Sequence, residues 1–347
     1  MPYQLYHLVA FIVSALVVLA STPTVKKIGL KSGHVDSPGG RKVHSQPMVR
    51  LGGVSIFLGS ITALFIVWCL GGFGVLPPHK EYEIWGVTIG GFAFFLIGLA
   101  DDLFGLGAFM RLFWQTIVAG LAWKVGVKIA FITIPFLGLV HFPDWVSFTI
   151  TILWLVGMTN AINWIDGLDG LAAGVSGIGA MVMLIVSLFM EQPAAALIAA
   201  ALAGGTLAFL RYNFNPAQIF MGDGGSYYLG FTLAGVGVIG LVKTTAVTAV
   251  FLPYLILAVP ILDMSAVIID RLRNGQSPFV ADKRHLHHRL LAAGLSHRLT
   301  VLFIYSLTLW SGSLAVAFAG IPSGVGLAMG ATAILSYASW KAHNHSR

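Results

Sequence analysis

About eleven long runs of mostly apolar residues constrain what this chain can fold into, because a bilayer crossing needs about 20 such residues. The runs cover residues 3–21, 51–72, 85–100, 111–127, 145–161, 171–190, 194–210, 226–242, 245–265, 299–319 and 323–340. Only 10% of the 347 residues are charged, against about 25% in soluble domains. We therefore predict an all-α polytopic membrane protein of about 11 transmembrane helices, forming one domain over residues 1–347.

The distribution of Lys and Arg predicts how these spans are oriented. With the N-terminus outside and the C-terminus in the cytoplasm, nearly all basic residues become cytoplasmic, as the positive-inside rule requires. The exceptions among the 20 are Lys80, Lys124, Lys128 and Lys243. The net charge of +7 is then explained without nucleic-acid binding, which we do not expect. Residues 129–142 are short, β-branched and broken by a proline, which favours a small periplasmic β-hairpin.

The acidic residues separate by type across the predicted membrane. The Glu residues and Asp144 fall outside, whereas all other Asp residues fall on the cytoplasmic side. The cytoplasmic ones are Asp36, Asp101, Asp102, Asp166, Asp169, Asp223, Asp263, Asp270 and Asp282. Oxygen ligands suit Mg²⁺, so this gathering predicts a metal or phosphate site at the cytoplasmic boundary.

Two amides and two carboxylates interrupt the apolar sequence between Asn160 and Gly170. They recur every third residue, as Asn160, Asn163, Asp166 and Asp169. Ionisable groups in or beside a bilayer are costly and are functional by default. The spacing and the neighbouring glycines favour a helix end followed by a turn, which gathers the side-chain oxygens. Asn and Asp also cap helices, and Asn160 is the member best explained as a purely structural amide.

Asp101 and Asp102 end the third predicted span. Adjacent carboxylates in a partly dry place repel each other unless a cation or a shared proton relieves them. A helix end exposed to water is the alternative explanation.

Asp223 lies in a glycine-rich segment, Phe-Met-Gly-Asp-Gly-Gly-Ser, directly before the span predicted to start near Ser226. Backbone N–H groups at such a helix start can bind phosphate. A carboxylate there repels phosphate unless it holds a divalent cation that bridges the two. A glycine loop capped by Asp223 is the alternative.

A cluster of histidines and basic residues occupies 283–289 in the longest cytoplasmic loop. His285 and His288 are three residues apart and are predicted to share a helix face, with His287 pointing elsewhere. Zinc is the competing interpretation, but the loop lacks Cys and the H-E-x-x-H pattern. The neighbouring Lys and Arg favour neutralisation of phosphates. The first cytoplasmic loop is also basic, with ordinary positive-inside charge as its alternative explanation; its residues are Arg41, Lys42, His44 and Arg50.

Together, in order from about residue 30 to 300, these motifs resemble the polyprenyl-phosphate N-acetylhexosamine-1-phosphate transferases. Those enzymes transfer a sugar phosphate from a UDP-sugar to undecaprenyl phosphate, release UMP and require Mg²⁺. The resemblance implies Asp223 and Asn163 as ligands of Mg²⁺, or of Mn²⁺ in its place. It implies catalytic roles for Asp101, Asp102, Asp166, Asp169, His285, His287 and His288. The implied substrate-binding residues are Arg41, Lys42, His44, Arg50, Asn160, Asp263, Arg284 and Arg289.

The His-Leu-His-His-Arg run departs from the three consecutive histidines, followed by an aromatic and an acid, of the muramoyl-pentapeptide transferases. This departure favours UDP-N-acetylglucosamine as donor. The resemblance implies a Mg²⁺-dependent enzyme of the bacterial inner membrane, with a cytoplasmic active site, that starts a cell-surface glycan such as O-antigen or teichoic acid; a homodimer is compatible with it. A muramoyl-pentapeptide transferase and a secondary transporter stay as alternatives, although transporters usually carry midplane sites and internal repeats. Direct displacement and a covalent aspartyl-phosphate are both open.

Overall fold

The computed structural model describes residues 3–33, 35–36, 48–74, 76–134, 138–242, 251–277 and 284–345. The chain is mostly helical. The helices are α1 Tyr3–Ser32, α2 Gly52–Cys69, α3 Pro78–Phe104, α4 Ala108–Lys124, α5 Asp144–Ile165, α6 Leu171–Phe189, α7 Pro193–Asn213, α8 Gly222–Val236, α9 Leu252–Ile256, α10 Ala258–Arg273, α11 Leu286–Ala292, α12 His297–Phe318 and α13 Gly324–His345. A six-residue π-helical segment, Gly237–Val242, continues α8.

Eight of the helical segments in the described residues are long and apolar enough to cross a membrane, judged by length and composition. They correspond to eight of the predicted runs, so the chain is a multi-pass membrane protein. The runs at 111–127, 245–265 and 323–340 are not among them. Helix α4, in the run at 111–127, has only 17 residues. The run at 245–265 is broken at Leu257, between α9 and the charged helix α10. The total of eleven spans and their orientation stay predictions.

Two short antiparallel strand pairs complete the described fold. Strand β1, Val35–Asp36, pairs with β2, Met48–Val49. Strand β3, Phe131–Ile134, pairs with β4, Gly138–His141, within the segment predicted as a hairpin. Residues 135–137 between them lie outside the described residues, and the periplasmic location of this pair stays a prediction.

Helix α8 is the centre of the fold. It contacts α2, α3, α5, α6 and α7, and its apolar window is entirely buried. Its many glycines and small residues allow neighbouring helices to approach closely. The ring of Phe231 stacks on Phe94 of α3 with centroids 4.4 Å apart, and Trp154 of α5 donates to the carbonyl oxygen of Ala234 at 3.0 Å.

Two glycines show how closely α2 and α3 hold the first turn of α8. A Cβ atom added to Gly98 of α3 would lie 2.2 Å from the carbonyl oxygen of Asp223. A Cβ atom added to Gly53 of α2 would lie 2.2 Å from the backbone nitrogen of Gly225. Any side chain at either position requires backbone movement, so these contacts fix the place of Asp223.

The polar stretch from Asn160 to Gly170 folds as predicted, as the end of α5 followed by a turn. Helix α5 ends at Ile165, and α6 begins at Leu171 after Gly170, whose φ of +79° suits glycine. Helix α8 begins at Gly222, four residues before the predicted start. Hydropathy alone misses this first turn because its residues are glycine and aspartate.

Candidate active site

Three helix ends meet at one cluster of polar side chains. The end of α3 supplies Asp101 and Asp102, the end of α5 supplies Asn163, and the first turn of α8 supplies Asp223. These residues are far apart in the sequence and are brought together only because α3 and α5 both pack on α8. We call these four residues the carboxylate cluster.

Asp223 is held by an amide and faces a guanidinium group. The Nδ2 atom of Asn163 donates to Oδ1 of Asp223 at 2.8 Å and to Oγ of Ser226 at 3.0 Å. The Nη2 atom of Arg50 lies 3.8 Å from the same Asp223 oxygen. Asn163 therefore points its nitrogen, not its oxygen, at Asp223, so the amide must rotate before both residues can present oxygens to one cation.

The two adjacent aspartates have different partners. Asp101 accepts a hydrogen bond from Nη1 of Arg111 at 2.5 Å, so its charge is balanced within the protein. Asp102 accepts from the backbone N–H of Gly224 at 2.9 Å through Oδ2. Its Oδ1 is buried and has no hydrogen-bond partner within the described residues. The Nε atom of Arg50 lies 3.9 Å from this oxygen. Asp102 is therefore the aspartate of the pair that has an oxygen available for a ligand.

Arg50 reaches the cluster because its backbone neighbours are paired with the segment before α8. Phe220 donates its N–H to the carbonyl of Val49 at 2.8 Å, and Gly52 donates to the carbonyl of Phe220 at 2.9 Å. The Arg50 side chain is 47% exposed, so it combines contact with the cluster with access to solvent. The other predicted basic residues of this loop, Arg41, Lys42 and His44, lie outside the described residues.

The turn after α5 contributes two carboxylates with different surroundings. Burial, together with the nearby charge of Asp223, raises the pKa of Asp166 to about 7. Asp169 instead accepts hydrogen bonds from Nδ2 of Asn215 and from the backbone N–H of Ala217, each at 3.0 Å. Asp166 is thus close enough to interact electrostatically with the carboxylate cluster. Asp169 instead hydrogen-bonds to the segment that leads to α8.

The histidine cluster has a different helix geometry from the predicted one. Helix α11 starts at Leu286, so His285 precedes the helix and shares no helix face with His288. The prediction that His287 points elsewhere was also wrong, since its ring contacts those of both other histidines. The helix start could not be read from the sequence. The rings of His285 and His287 stack with centroids 5.7 Å apart. The ring of His288 lies 4.3 Å from that of His287.

Asp263 of α10 orients the start of α11. Its Oδ1 accepts the backbone N–H of Leu286 at 2.7 Å, and its Oδ2 lies 2.9 Å from Nδ1 of His285. Both side chains are buried. Asp263 therefore positions His285 and the first turn of α11 in this structure. Direct substrate binding by Asp263 stays a prediction.

His287 joins the histidine cluster to the turn after α5. A Cβ atom added to Gly167 would lie 2.4 Å from Nε2 of His287, so the imidazole packs directly on this glycine. Burial, with the neighbouring His288 and His285, lowers the pKa of His287 to about 3. The ring is therefore neutral near pH 7 and cannot act there as a cationic phosphate ligand.

The remaining predicted substrate-binding residues make other contacts. Arg284 donates to Oδ2 of Asp270 at 2.6 Å and to Oε1 of Gln276 at 2.8 Å. Arg289 is exposed on α11. Asn160 donates to the buried Oε1 of Gln115 and to the carbonyl of Val156, each at 2.8 Å, which fits a structural amide.

Several residues of the site were missed in the sequence. Arg111 balances Asp101, and its position ten residues after the aspartate pair was the available signal. His297 accepts the backbone N–H of Asp169 at 3.0 Å, and Tyr305 donates to the carbonyl of Gly170 at 2.5 Å. No local pattern marks these α12 residues, because their contacts depend on tertiary packing.

The carboxylate cluster fits a Mg²⁺ site that substrate phosphates complete. In the described part of the chain, no group of three or more His, Cys, Asp or Glu side chains is arranged to hold a metal by itself. Mg²⁺ is commonly bound by one or two carboxylates together with phosphate oxygens and water. Asp223 supplies a carboxylate of that kind, and the unpartnered oxygen of Asp102 lies in the same cluster.

Comparisons with known proteins agree on one family. Residues 84–241 match glycosyl transferase family 4. A Bacillus subtilis (strain 168) protein, named a probable undecaprenyl-phosphate N-acetylglucosaminyl 1-phosphate transferase, is 42% identical over 299 residues, which are 86% of this chain and 80% of that protein. A decaprenyl-phosphate N-acetylglucosaminephosphotransferase of Mycobacterium tuberculosis (strain ATCC 25618 / H37Rv) is 34% identical over 328 residues, 87% of this chain and 79% of its own.

A third relative extends the same pattern. The undecaprenyl-phosphate alpha-N-acetylglucosaminyl 1-phosphate transferase of Salmonella typhi is 30% identical over 297 residues, covering 80% of this chain and 75% of that protein. These relatives indicate the same family as the motifs gathered around α8. This multi-pass membrane protein is therefore a transferase enzyme of glycosyl transferase family 4, and it belongs to the polyprenyl-phosphate N-acetylhexosamine-1-phosphate transferases.

Proposed function

We propose that the protein transfers N-acetylglucosamine 1-phosphate from UDP-N-acetylglucosamine to undecaprenyl phosphate, giving the lipid diphosphate sugar and UMP. The observation that carries this proposal is the meeting of Asp102, Asn163 and Asp223 beside Arg50 at the ends of three apolar helices. Such an arrangement of oxygen ligands and a cationic group at the ends of apolar helices supports binding of a lipid phosphate headgroup. The names of the relatives support the choice of sugar and lipid.

In the proposed reaction an oxygen of the lipid phosphate attacks the β-phosphorus of the UDP-sugar. A new bond forms between this oxygen and the β-phosphorus, and the bond to the bridging oxygen breaks, so UMP leaves with that oxygen. A phosphate monoester has a second pKa near 6, so the nucleophile is mostly ionised at neutral pH. Asp102, whose buried Oδ1 has no hydrogen-bond partner within the described residues, would accept a remaining proton or orient the phosphate.

The residues around the cluster supply charge and position. Arg50, partly exposed and within 4 Å of both Asp102 and Asp223, would bind the diphosphate as its guanidinium shifts from the carboxylates to the phosphates. Asp223, joined by the Asn163 oxygen after rotation of its amide, would hold Mg²⁺ or Mn²⁺. When bound, this ion supplies positive charge that stabilises the diphosphate and the departing UMP.

The proposed site lies at the cytoplasmic face of a bacterial inner membrane. The positive-inside distribution of Lys and Arg supports this orientation, and it allows UDP-sugars to reach the site directly from the cytoplasm. The product would then start a cell-surface glycan. The competing donor, UDP-N-acetylmuramoyl-pentapeptide, is disfavoured by the His-Leu-His-His-Arg sequence at 285–289.

The proposed function is tested with purified protein, undecaprenyl phosphate, Mg²⁺ and UDP-N-acetylglucosamine labelled in the sugar. We expect labelled lipid and UMP in equal amounts, and loss of product when the metal is removed with a chelator. Labelled lipid formed only from UDP-N-acetylmuramoyl-pentapeptide would overturn the assignment of the donor. Product formation unaffected by chelation would overturn the role of the metal.

A second experiment separates direct displacement from a covalent route. The enzyme is incubated with UDP-N-acetylglucosamine labelled in the β-phosphate and without lipid acceptor, then denatured and separated from small molecules. We expect no label on the protein. A stable labelled phospho-enzyme would establish an aspartyl intermediate instead.

A further inference from the structure

Asn213, the last residue of α7, bridges the two segments that carry the catalytic carboxylates. Its Oδ1 accepts the backbone N–H of Gly170 at 3.1 Å. Its Nδ2 donates to the carbonyl of Ile219 at 2.9 Å. Gly170 lies four residues after Asp166, and Ile219 lies four residues before Asp223. One amide therefore connects the turn after α5 to the segment leading into α8.

The Asn213 side chain is buried, and both of its polar atoms are hydrogen-bonded. The Asn213 residue is only 3% exposed, and both polar atoms of its side chain have a backbone partner. Buried amides that satisfy backbone groups on two segments restrict how those segments move relative to each other. Loss of this side chain would leave an N–H and a carbonyl without partners in a dry region, and the chain would shift to satisfy them.

Neighbouring contacts act in the same direction. From the turn, Asp169 accepts hydrogen bonds from Asn215 and Ala217, just after Asn213. From α12, Tyr305 donates to the carbonyl of Gly170. The turn is thus fixed from several sides, but Asn213 is the side chain here that bonds both to the turn and to the residue before Phe220-Met221-Gly222-Asp223.

We propose that Asn213 is a positioning residue that sets the separation of Asp166 and Asp223 during the transfer reaction. This proposal rests on the proposed function above. Asn213 touches neither substrate nor metal in this role. Because a misplacement of about 1 Å can reduce a rate about 100-fold, its loss is expected to lower kcat more than it weakens substrate binding.

The test compares Asn213→Ala with Thr206→Val in the same helix. Thr206 is equally buried, but its hydroxyl bonds only to Leu202 and Ala203 of α7. For equal amounts of monodisperse protein, Asn213→Ala should lower kcat about 100-fold with the KM for the UDP-sugar changed less than about threefold. Thr206→Val should retain the wild-type kcat. A normal kcat in Asn213→Ala, or an equal loss in Thr206→Val, would overturn the proposal.

Asn213→Asp provides a second variant if Asn213→Ala does not fold. It keeps an oxygen towards the Gly170 N–H but replaces the donor to the Ile219 carbonyl by a second oxygen, so its kcat should fall below that of wild type. A wild-type kcat for Asn213→Asp would contradict the bridge.

Hydrogen exchange gives a readout that does not depend on the reaction. In the Asn213 variants, amides in peptides covering 166–172 and 218–224 should both exchange faster than in wild type, and Thr206→Val should leave both unchanged. Acceleration in neither peptide, or in only one, would overturn the bridge. If the wild-type protein makes no lipid-linked sugar, the proposed function fails, while this exchange measurement still decides whether Asn213 couples the two segments.

Discussion

Asn163 and Asp223 are joined by a hydrogen bond of 2.8 Å between the end of α5 and the first turn of α8, although they lie 60 residues apart in the sequence. The bond orients the Asp223 carboxylate and leaves Asn163 unable to rotate without breaking it. Binding of the proposed cation by both residues would therefore require a rearrangement of this amide.

Asp223→Ala should reduce formation of labelled lipid by about 1000-fold or more, because the variant lacks the carboxylate that would hold the metal beside the diphosphate. Turnover is measured on monodisperse protein. Asp144→Asn, an exposed aspartate at the other end of α5, is the matched control and should retain activity. Near-normal turnover of folded Asp223→Ala would refute the metal-binding role.

Arg111→Met should lower the melting temperature, since it leaves the buried carboxylate of Asp101 without its cationic partner. The expected loss is roughly 1–3 kcal/mol, measured as thermal stability in detergent. The double variant Arg111→Met with Asp101→Asn should regain part of it, because the uncompensated charge is gone. Equal melting temperatures for the single and the double variant would show that this ion pair does not determine stability.

Gly98→Ala should destabilise the protein and lower its activity. The new methyl group would lie 2.2 Å from the carbonyl oxygen of Asp223, so α3 and α8 must separate, at a cost of about 1–3 kcal/mol. Gly157→Ala in α5 is the control, because a Cβ atom there meets no atom within 4 Å. Melting temperature and kcat are measured for both. A fully active and stable Gly98→Ala variant would contradict the close helix contact.

The stability of the protein should fall as pH decreases below about 6.5, in part because of His287. Its pKa is lowered to about 3 in the folded state by burial and neighbouring histidines, whereas an unfolded histidine titrates near 6.5. The unfolded state therefore binds a proton in this range that the folded state does not. His287→Asn should reduce the drop in melting temperature between pH 7 and pH 5.

The exposed His141 provides a control for this measurement. His141→Asn should leave the pH dependence of the melting temperature as in wild type. If His287→Asn and wild type lose the same stability between the two pH values, His287 does not contribute to the acid sensitivity.

The membrane character and the members of the carboxylate cluster could be predicted from the sequence, because apolar runs and polar interruptions are local patterns. Asn163 and Asp223 stand out in this way, and family resemblance related them to one site. The partners of these residues could not be predicted. His297 and Asn213 make their contacts across helix packing, which no local spacing encodes, and the spacing of Arg111 from the aspartate pair does not specify that the two side chains meet.

The same limit explains the errors at helix ends. The first turn of α8 contains Gly222 and Asp223 and carries no apolar signal, so its start was placed too late. Helix α11 begins after His285 because the Asp263 carboxylate caps its first N–H, a contact from another helix. The start of α11 therefore depended on a tertiary contact, and the direction of each histidine depended on that start.

Helix α8 is enclosed by protein along its apolar window, and this has a consequence for how the lipid substrate binds. The isoprenoid tail cannot lie along the helix that carries Asp223, because other helices occupy every side of it. A bound tail would therefore contact other helices, with its phosphate turned inwards to the first turn of α8. Tail and headgroup would then contact separate parts of the protein, so a change in the residues that contact the tail would leave the carboxylate cluster unaltered.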